Sequence, residues 1–265
     1  MSLAITARSG EAAAGRRVTP LLTPALTAAT AHRVLLQLRH DPRTIAMMIA
    51  VPSVLMILLR YVLNDPPVLN RIAPAYIGVF PFVIMFIVAA ITTQRERARG
   101  TLERLMAMPL GKLDLLAGYA LAFGLMACLQ VTVVLVISLT WLGLTLPGSA
   151  VGLAVVAVLD AILGMALGLF ASAFARTEFQ AVQFMPAFVL PQALLCGLIV
   201  PRSEMTPVLR WISDFLPLSY AVDAMQRIST SPTWTAAITA DVLVILAFTA
   251  AALVGGALTL RRRTS

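Results

Sequence analysis

Apolar residues occur along this chain in six runs, each long enough to cross a lipid bilayer as one α-helix. A transmembrane helix needs about 20 consecutive, mostly apolar residues, and polar segments separate the six runs. The predicted spans are Thr44 to Leu63, Ala75 to Thr93, Leu115 to Leu142, Ala150 to Phe174, Ala181 to Val200 and Thr235 to Leu260. Four prolines inside three of the spans (Pro52, Pro81, Pro186 and Pro191) are tolerated in a membrane bundle as kinks. The pattern therefore predicts an all-α membrane protein with six transmembrane helices.

Composition supports this class. Of 265 residues, 60% are hydrophobic and 12% are charged, about half the charged fraction of a soluble domain. Six spans leave only short loops and end segments among these residues, so no separate catalytic domain is expected within them. The predicted division is a cytoplasmic segment at residues 1–43, a transmembrane domain at 44–260 and a basic tail at 261–265.

The basic residues are distributed unevenly around the spans. The net charge is +8; with both termini on one side, 15 Lys and Arg lie on that side and five on the other. Cytoplasmic loops carry the excess of Lys and Arg, so both termini are predicted to be cytoplasmic. The charge is therefore interpreted as a topology signal and not as nucleic-acid binding. A strong preference for Arg over Lys and abundant Ala favour a bacterial inner membrane.

An amphipathic helix is predicted before the first span, from Leu26 to His40. Its apolar face contains Val34, Leu35 and Leu38, with basic residues beside it. Such a helix is typical of the membrane surface. It is expected to end at Asp41-Pro42, because the residue before a proline is sterically disfavoured in the helical conformation.

The loop between the second and third spans, Gln94 to Asp114, is too polar to span a membrane. Apolar residues within it recur at helical spacing, which predicts a short helix with one apolar stripe. Thr101 is the expected N-cap, and Glu103 is a favourable acid in the first turn. Two interpretations stay open: a helix held at the membrane surface by arginines, or a docking helix for a soluble partner.

The segment from Pro201 to Trp234 is predicted to lie on the outer side. It is too amphipathic for a soluble loop and too short in apolar length to span, so it either re-enters the outer leaflet or lies on the surface as helices.

Asp160 lies near the middle of the fourth span, on the face that Gly164 and Gly168 share at i+4 and i+8. Small residues let helices approach closely, whereas a charge within a membrane is costly and often functional. Asp160 is thus expected either to line a transport pathway or to be a protonated or hydrogen-bonded packing residue, with Gln130 as one partner.

Motifs for chemistry are missing from the sequence. It contains no GxxxxGK[ST] phosphate loop, no HExxH and no CxxC, and Cys128 and Cys196 lie in apolar runs as small hydrophobes. We therefore expect no catalytic, cofactor-binding or metal-binding residues and no ATP hydrolysis by this chain alone.

Three stretches together resemble a known family. Glu96 to Leu110, ERARGTLERLMAMPL, resembles the acidic-residue, Gly-Thr-Leu-Glu, Leu, Pro signature of ABC-2 type export permeases, the membrane subunits of one class of ATP-binding-cassette exporters. His32 to Leu59 is similar to the start of the daunorubicin-resistance type of these permeases. Gly197 to Ile228 resembles the family's outer stretch between spans five and six.

The resemblance implies partners and roles. A separate ATP-binding-cassette subunit, in two copies, would bind ATP and Mg, and a second permease chain would complete a homodimer or heterodimer. The loop would pack against the ATPase, with further contacts from the N-terminal helix and from Ala175 to Phe179. The residues implied to couple to the ATPase are Arg95, Glu96, Arg97, Thr101, Leu102, Glu103, Leu105 and Pro109. Those implied to form an outer gate, as a pair of short helices, are Pro201, Trp211, Pro217, Tyr220 and Asp223.

The expected function is ATP-driven export of a lipophilic or amphipathic substrate, such as a drug-like compound or a lipid, with glycan export as an alternative in the same family. Other classes stay open. A secondary transporter would use Asp160 as a proton site but would be expected to show more membrane acids or an inverted repeat. A membrane enzyme would need clustered Asp, His or Glu, and a non-transporting scaffold is not distinguished by sequence.

Overall fold

Every regular element that the structure describes is a helix. The structure is a computed structural model that describes residues 23–107, 111–231 and 233–259. Its helices are α1 (Pro24–Arg39), α2 (Pro42–Leu63), α3 (Pro66–Ala98), α4 (Thr101–Ala107), α5 (Lys112–Thr140), α6 (Ala150–Ser172), α7 (Glu178–Leu195), a 3₁₀ turn (Arg202–Glu204), α8 (Pro207–Asp214), α9 (Pro217–Thr230) and α10 (Ala236–Thr259). Proline begins several of them, because the first helical residue needs no backbone N–H partner.

Five helices of the described residues are long and apolar enough to cross a membrane: α2, α3, α5, α6 and α10. The predicted all-α membrane class is confirmed. The fifth predicted span corresponds to α7, which has 18 residues, contains three glutamines and two prolines, and is not among the five. The count of six spans therefore stays a prediction.

The second span is longer than the apolar run predicted. Helix α3 has 33 residues, or about 50 Å of length at 1.5 Å per residue, which exceeds the roughly 30 Å hydrocarbon core. Gln94 to Ala98, assigned to a loop from the sequence, instead forms the last turns of this helix. The prediction was wrong because polarity marks the edge of the apolar layer and not the end of the helix.

Helices α3 and α6 form the centre of the bundle. A methyl group added at Gly164 would lie 2.3 Å from the Phe82 carbonyl oxygen, and one added at Gly168 would lie 2.3 Å from that of Phe86. The glycine face of α6 thus lies directly on the backbone of α3. Helix α9 packs against α3, α6 and α10.

Side-chain contacts define two ends of the bundle. We call one of them the α1 end. There, Lys112 Nζ of α5 donates a hydrogen bond to the Ala257 carbonyl oxygen of α10 at 3.2 Å. At the opposite end, the α9 end, Arg60 Nε of α2 donates to the Leu142 carbonyl at 3.1 Å. With the orientation predicted from the basic residues, the α1 end faces the cytoplasm.

Candidate coupling site at the α1 end

A buried polar cluster joins three helices at the α1 end. Arg33 Nη1 of α1 donates to Glu96 Oε1 of α3 at 2.9 Å, and the hydroxyl of Tyr119 of α5 donates to Glu96 Oε2. Arg33 Nη2 lies 3.4 Å from the Tyr119 hydroxyl. Glu96 is only 6% exposed and Tyr119 1%. Because a buried carboxylate needs compensating partners, the position of α3 depends on both neighbours.

Helix α1 is fixed on α5 at its other end as well. Asp114, 2% exposed, accepts hydrogen bonds from the Thr23 backbone N–H at 2.6 Å and from Thr27 Oγ1 at 3.2 Å. A carboxylate suits the positive N-terminus of a helix. Farther along, a methyl group added at Gly118 would lie 2.5 Å from the Thr30 side chain. The predicted amphipathic helix therefore exists and packs closely on α5.

An exposed ion pair links α3 to α7. Arg95 Nε and Nη2 donate to the two carboxylate oxygens of Glu178, each at 3.1 Å. Hydrogen bonds from Arg95 lower the pKa of Glu178 below its usual value. Glu178 lies in the Ala175 to Phe179 segment, so with the Arg33–Glu96 pair the structure brings all three predicted contact segments together.

Helix α4 turns its apolar side toward its own bundle. Leu102 is 5% exposed and packs in the same apolar cluster as Leu115 and Tyr119, with Leu105 beside it. Among the α4 side chains that the structure describes, Arg104 is the exposed one and can be reached by a soluble partner. Leu102 is therefore packed within this chain, and its role in coupling to a partner stays a prediction.

The start of α4 differs from the prediction. Arg104 N donates to the Gly100 carbonyl at 3.2 Å, so Gly100 precedes the helix and Thr101 is its first residue, not its N-cap. Gly100 has φ of 68°, which glycine adopts without steric cost. Arg97 is half-buried. The side chain of Glu103 and the whole of Pro109 lie outside the described residues.

Asp160 is fully buried in α6, between α3 and α9. Its carboxylate lies 3.3 Å from the Cβ position of Gly78, next to Met225. Asp160 and Gln130 are both 0% exposed, and neither side chain has a hydrogen-bond partner in the described part of the chain. The suggested Asp160–Gln130 hydrogen bond is therefore not formed.

At the α9 end, Arg202 links helices α8 and α9. Its guanidinium donates to Asp214 of α8 and Asp223 of α9 and lies 5.4 Å from the Tyr220 ring centroid. Burial raises the pKa of Asp223, and Arg202 opposes that shift. The predicted pair of short helices, α8 and α9, is present, and α9 packs into the bundle.

The other predicted gate residues occupy different surroundings. Pro201 precedes the 3₁₀ turn, and Pro217 begins α9 and is buried. Trp211 of α8 is 63% exposed and stacks edge-on against Phe215 at 4.8 Å between ring centroids. The structure thus brings Tyr220 and Asp223 together around Arg202 but leaves Trp211 apart from them.

Sequence reasoning missed Tyr119, Asp114 and Arg202 as members of these clusters. Tyr119 carries no signal, since one tyrosine in an apolar run is ordinary. Asp114 could have been found as an acid at the start of a membrane helix, which seldom remains unpartnered. Arg202 carries no clear signal either, because Arg210 and Arg227 lie closer in the chain to Asp214 and Asp223 than Arg202 does.

The sequence profile of the ABC-2 type transporter family matches residues 25–229, which extend from α1 to α9. The chain belongs to the ABC-2 type transporter family. The resemblance noted in the sequence is confirmed at this level, whereas the daunorubicin-resistance type stays a prediction. The matched residues include the Arg33–Glu96–Tyr119 cluster, the Arg95–Glu178 pair and the cluster around Arg202.

Relatives of this ABC-2 type chain carry transporter names. It is 26% identical over 171 residues to the probable multidrug ABC transporter permease YbhS of Escherichia coli (strain K12), covering 64% of this chain and 45% of the relative. It is 26% identical over 185 residues to the linearmycin resistance permease protein LnrN of Bacillus subtilis (strain 168), covering 68% and 48%. For ABC transporter G family member 20 of Dictyostelium discoideum the match is 26% over 160 residues, or 60% and 22%. The chain thus spans less than half the length of these relatives.

Proposed function

We propose that this chain is the membrane-spanning, non-catalytic subunit of an ATP-driven exporter. A separate ATP-binding-cassette subunit, in two copies, would bind and hydrolyse ATP with Mg. Family membership and the multidrug permease names of relatives support this proposal. We place the protein in a bacterial inner membrane, with both termini cytoplasmic.

The observation that carries the proposal is the connection of four helices to α3 at the α1 end. Arg33 and Tyr119 attach α1 and α5 to Glu96, and Arg95 attaches α7 through Glu178. Helix α4 follows directly and rests on the same cluster. A partner that moves this surface would therefore move α3, and α6 with it through the glycine face. Nucleotide would act by favouring one of two arrangements of these helices.

The substrate class follows from the apolar interior. Few fixed charges lie within the spans, which favours a lipophilic or amphipathic substrate such as a drug-like compound or a lipid. A second permease chain, identical or different, would enclose the path, and the α8 and α9 segment would act as the outer gate.

The test is co-purification of an ATPase. The tagged full chain is isolated from its native membrane in mild detergent, and the eluate is assayed for ATP hydrolysis and for a stoichiometric second subunit. Arg104→Glu reverses the exposed charge of α4, and Arg210→Glu makes the same change on α8 at the opposite end. We expect the ATPase to be retained by the wild type and by Arg210→Glu and to be lost from Arg104→Glu.

A second candidate function rests on Asp160, whose buried carboxylate has no partner in the described residues. A proton-coupled transporter would use such a group. Purification of the wild type without any ATPase, together with uptake driven by a proton gradient and abolished by Asp160→Asn, would replace the exporter proposal with this one.

A further inference from the structure

A cavity of about 950 Å³ lies between α1, α2 and α3 at the α1 end. It is separate from the buried Asp160 and from the outer cluster around Arg202. Its volume falls within the range of sites that hold small ligands, about 300–1,000 Å³.

The part of the cavity deep in the bundle is apolar. It is lined by Met47, Met48 and Val51 of α2 and by Ile84, Ile87 and Ile91 of α3. From Ile84 to Arg99 the lining of α3 extends about 22 Å at 1.5 Å per residue. This length exceeds one hydrocarbon leaflet, about half of a 30 Å core, so the cavity reaches from the apolar layer to the headgroup region.

The rim of the cavity is polar and carries positive charge. It contains three arginines and two histidines against two acids: Arg33, Arg95, Arg99, His32, His40, Asp41 and Glu96. Arg33 pairs with Glu96 and Arg95 with Glu178, so those charges largely offset one another, and hydrogen bonds from Thr44 lower the pKa of Asp41. Arg99 is exposed and forms no ion pair with any residue that the structure describes.

An apolar slot below a cationic rim matches one kind of molecule, an anionic amphiphile. We propose that this cavity binds one anionic phospholipid from the leaflet at the α1 end. Its acyl chains lie between α2 and α3, and its phosphate lies near Arg99 and His40. Arginine is well suited to bind the phosphate, because its planar guanidinium donates paired hydrogen bonds to phosphate oxygens.

The charge of the N-terminal segment argues against that segment as the occupant. Residues 1–22 carry Arg8, Arg16 and Arg17 against Glu11, so the rim would repel them. A lipid brings the complementary charge and is present at the cavity in any membrane that contains the protein.

The test is lipid binding by the purified full chain, independent of any ATPase or transport assay. The chain in mild detergent is titrated with dioleoyl phosphatidylglycerol or dioleoyl phosphatidylethanolamine, and bound lipids are counted by native mass spectrometry. Val51→Trp and Ile87→Trp fill the cavity, and Leu58→Trp places the same side chain on the exposed face of α2. Arg99→Gln removes the rim charge, and Arg39→Gln removes an exposed charge of α1 outside the cavity.

We expect one phosphatidylglycerol per chain, bound at least fivefold more tightly than phosphatidylethanolamine. Either cavity-filling variant should weaken that binding at least tenfold, and Arg99→Gln should abolish the preference, while both controls behave as the wild type. Equal binding of the two lipids, or unchanged binding by both cavity-filling variants with native elution profiles, would overturn the proposal. So would binding that appears only after residues 2–20 are deleted, because the N-terminal segment would then be the occupant.

Discussion

Arg33 and Glu96 lie 63 positions apart in the chain and meet at 2.9 Å across the α1–α3 boundary. The Arg33 side chain is 26% exposed and that of Glu96 8%, so the pair is mostly removed from water. An intact buried ion pair adds little net stability. Removal of one partner is strongly destabilising, because the other charge is then buried without compensation.

Arg33→Met should therefore destabilise the protein by about 3 kcal/mol, the lower part of the range for a broken buried pair. Glu96→Gln should cost less, since Tyr119 can still donate to the amide oxygen. Arg33→Met combined with Glu96→Met should cost less than the two single losses together, because no charge is left unpaired, although the buried Tyr119 hydroxyl then loses both partners. Denaturant titration in mixed micelles measures the unfolding free energies, and Arg39→Met is the control on the exposed side of α1. Additive losses in the double variant would contradict this account.

The glycine face of α6 leads to a prediction about packing. Gly168→Ala should destabilise the protein by about 1–3 kcal/mol, the usual cost of overpacking, because the methyl group would meet the Phe86 backbone at 2.3 Å and backbone cannot rotate away. Gly256→Ala in α10 is the matched control, since a methyl group there meets no atom of the described residues within 4 Å. It should be neutral or stabilising by up to about 1 kcal/mol through helix propensity.

Thermal unfolding of the two alanine variants in the same detergent checks this pair. A Gly168→Ala variant as stable as Gly256→Ala would show that α3 and α6 are not in direct backbone contact.

The main helices could be predicted from sequence because apolar length alone identifies a membrane helix. What could not be predicted were pairings across the bundle. The charges of Arg33 and Glu96 were visible, but nothing in their spacing shows that they meet, and both lay in segments interpreted as contact surfaces. The burial of Leu102 within the bundle could not be predicted for a related reason, because an apolar stripe does not say whether its packing partner belongs to the same chain.

Substitution of Asp160 can distinguish a packing role of this residue from a role in the transport pathway. An unpartnered ionised carboxylate in an apolar interior is costly, so the neutral amide in Asp160→Asn should change the unfolding free energy by less than about 1 kcal/mol. If Asp160 only packs, transport also survives the substitution. Loss of transport with unchanged stability would assign Asp160 to the pathway instead.

Arg95 and Glu178 allow a charge-exchange experiment on coupling. Both side chains are more than 40% exposed, and such pairs contribute about 0–1 kcal/mol, so Arg95→Glu should barely change stability. It should nevertheless reduce substrate-stimulated ATP hydrolysis several-fold. The carboxylate introduced at position 95 would repel the Glu178 carboxylate, so that α3 and α7 are no longer linked at this point. Arg95→Glu combined with Glu178→Arg should restore it.

The pH dependence of this pair has a definite sign. The pKa of Glu178 is lowered by Arg95, so the attraction is complete above the ordinary carboxyl pKa of about 4.3 and is lost only as pH falls through the lowered value. The contribution of this pair to coupling in the wild type should thus not change with pH between roughly 6 and 8, because the Glu178 carboxylate is ionised throughout that range. Failure of the exchanged variant to recover, with both single variants folded, would mean that this pair does not transmit movement between α3 and α7.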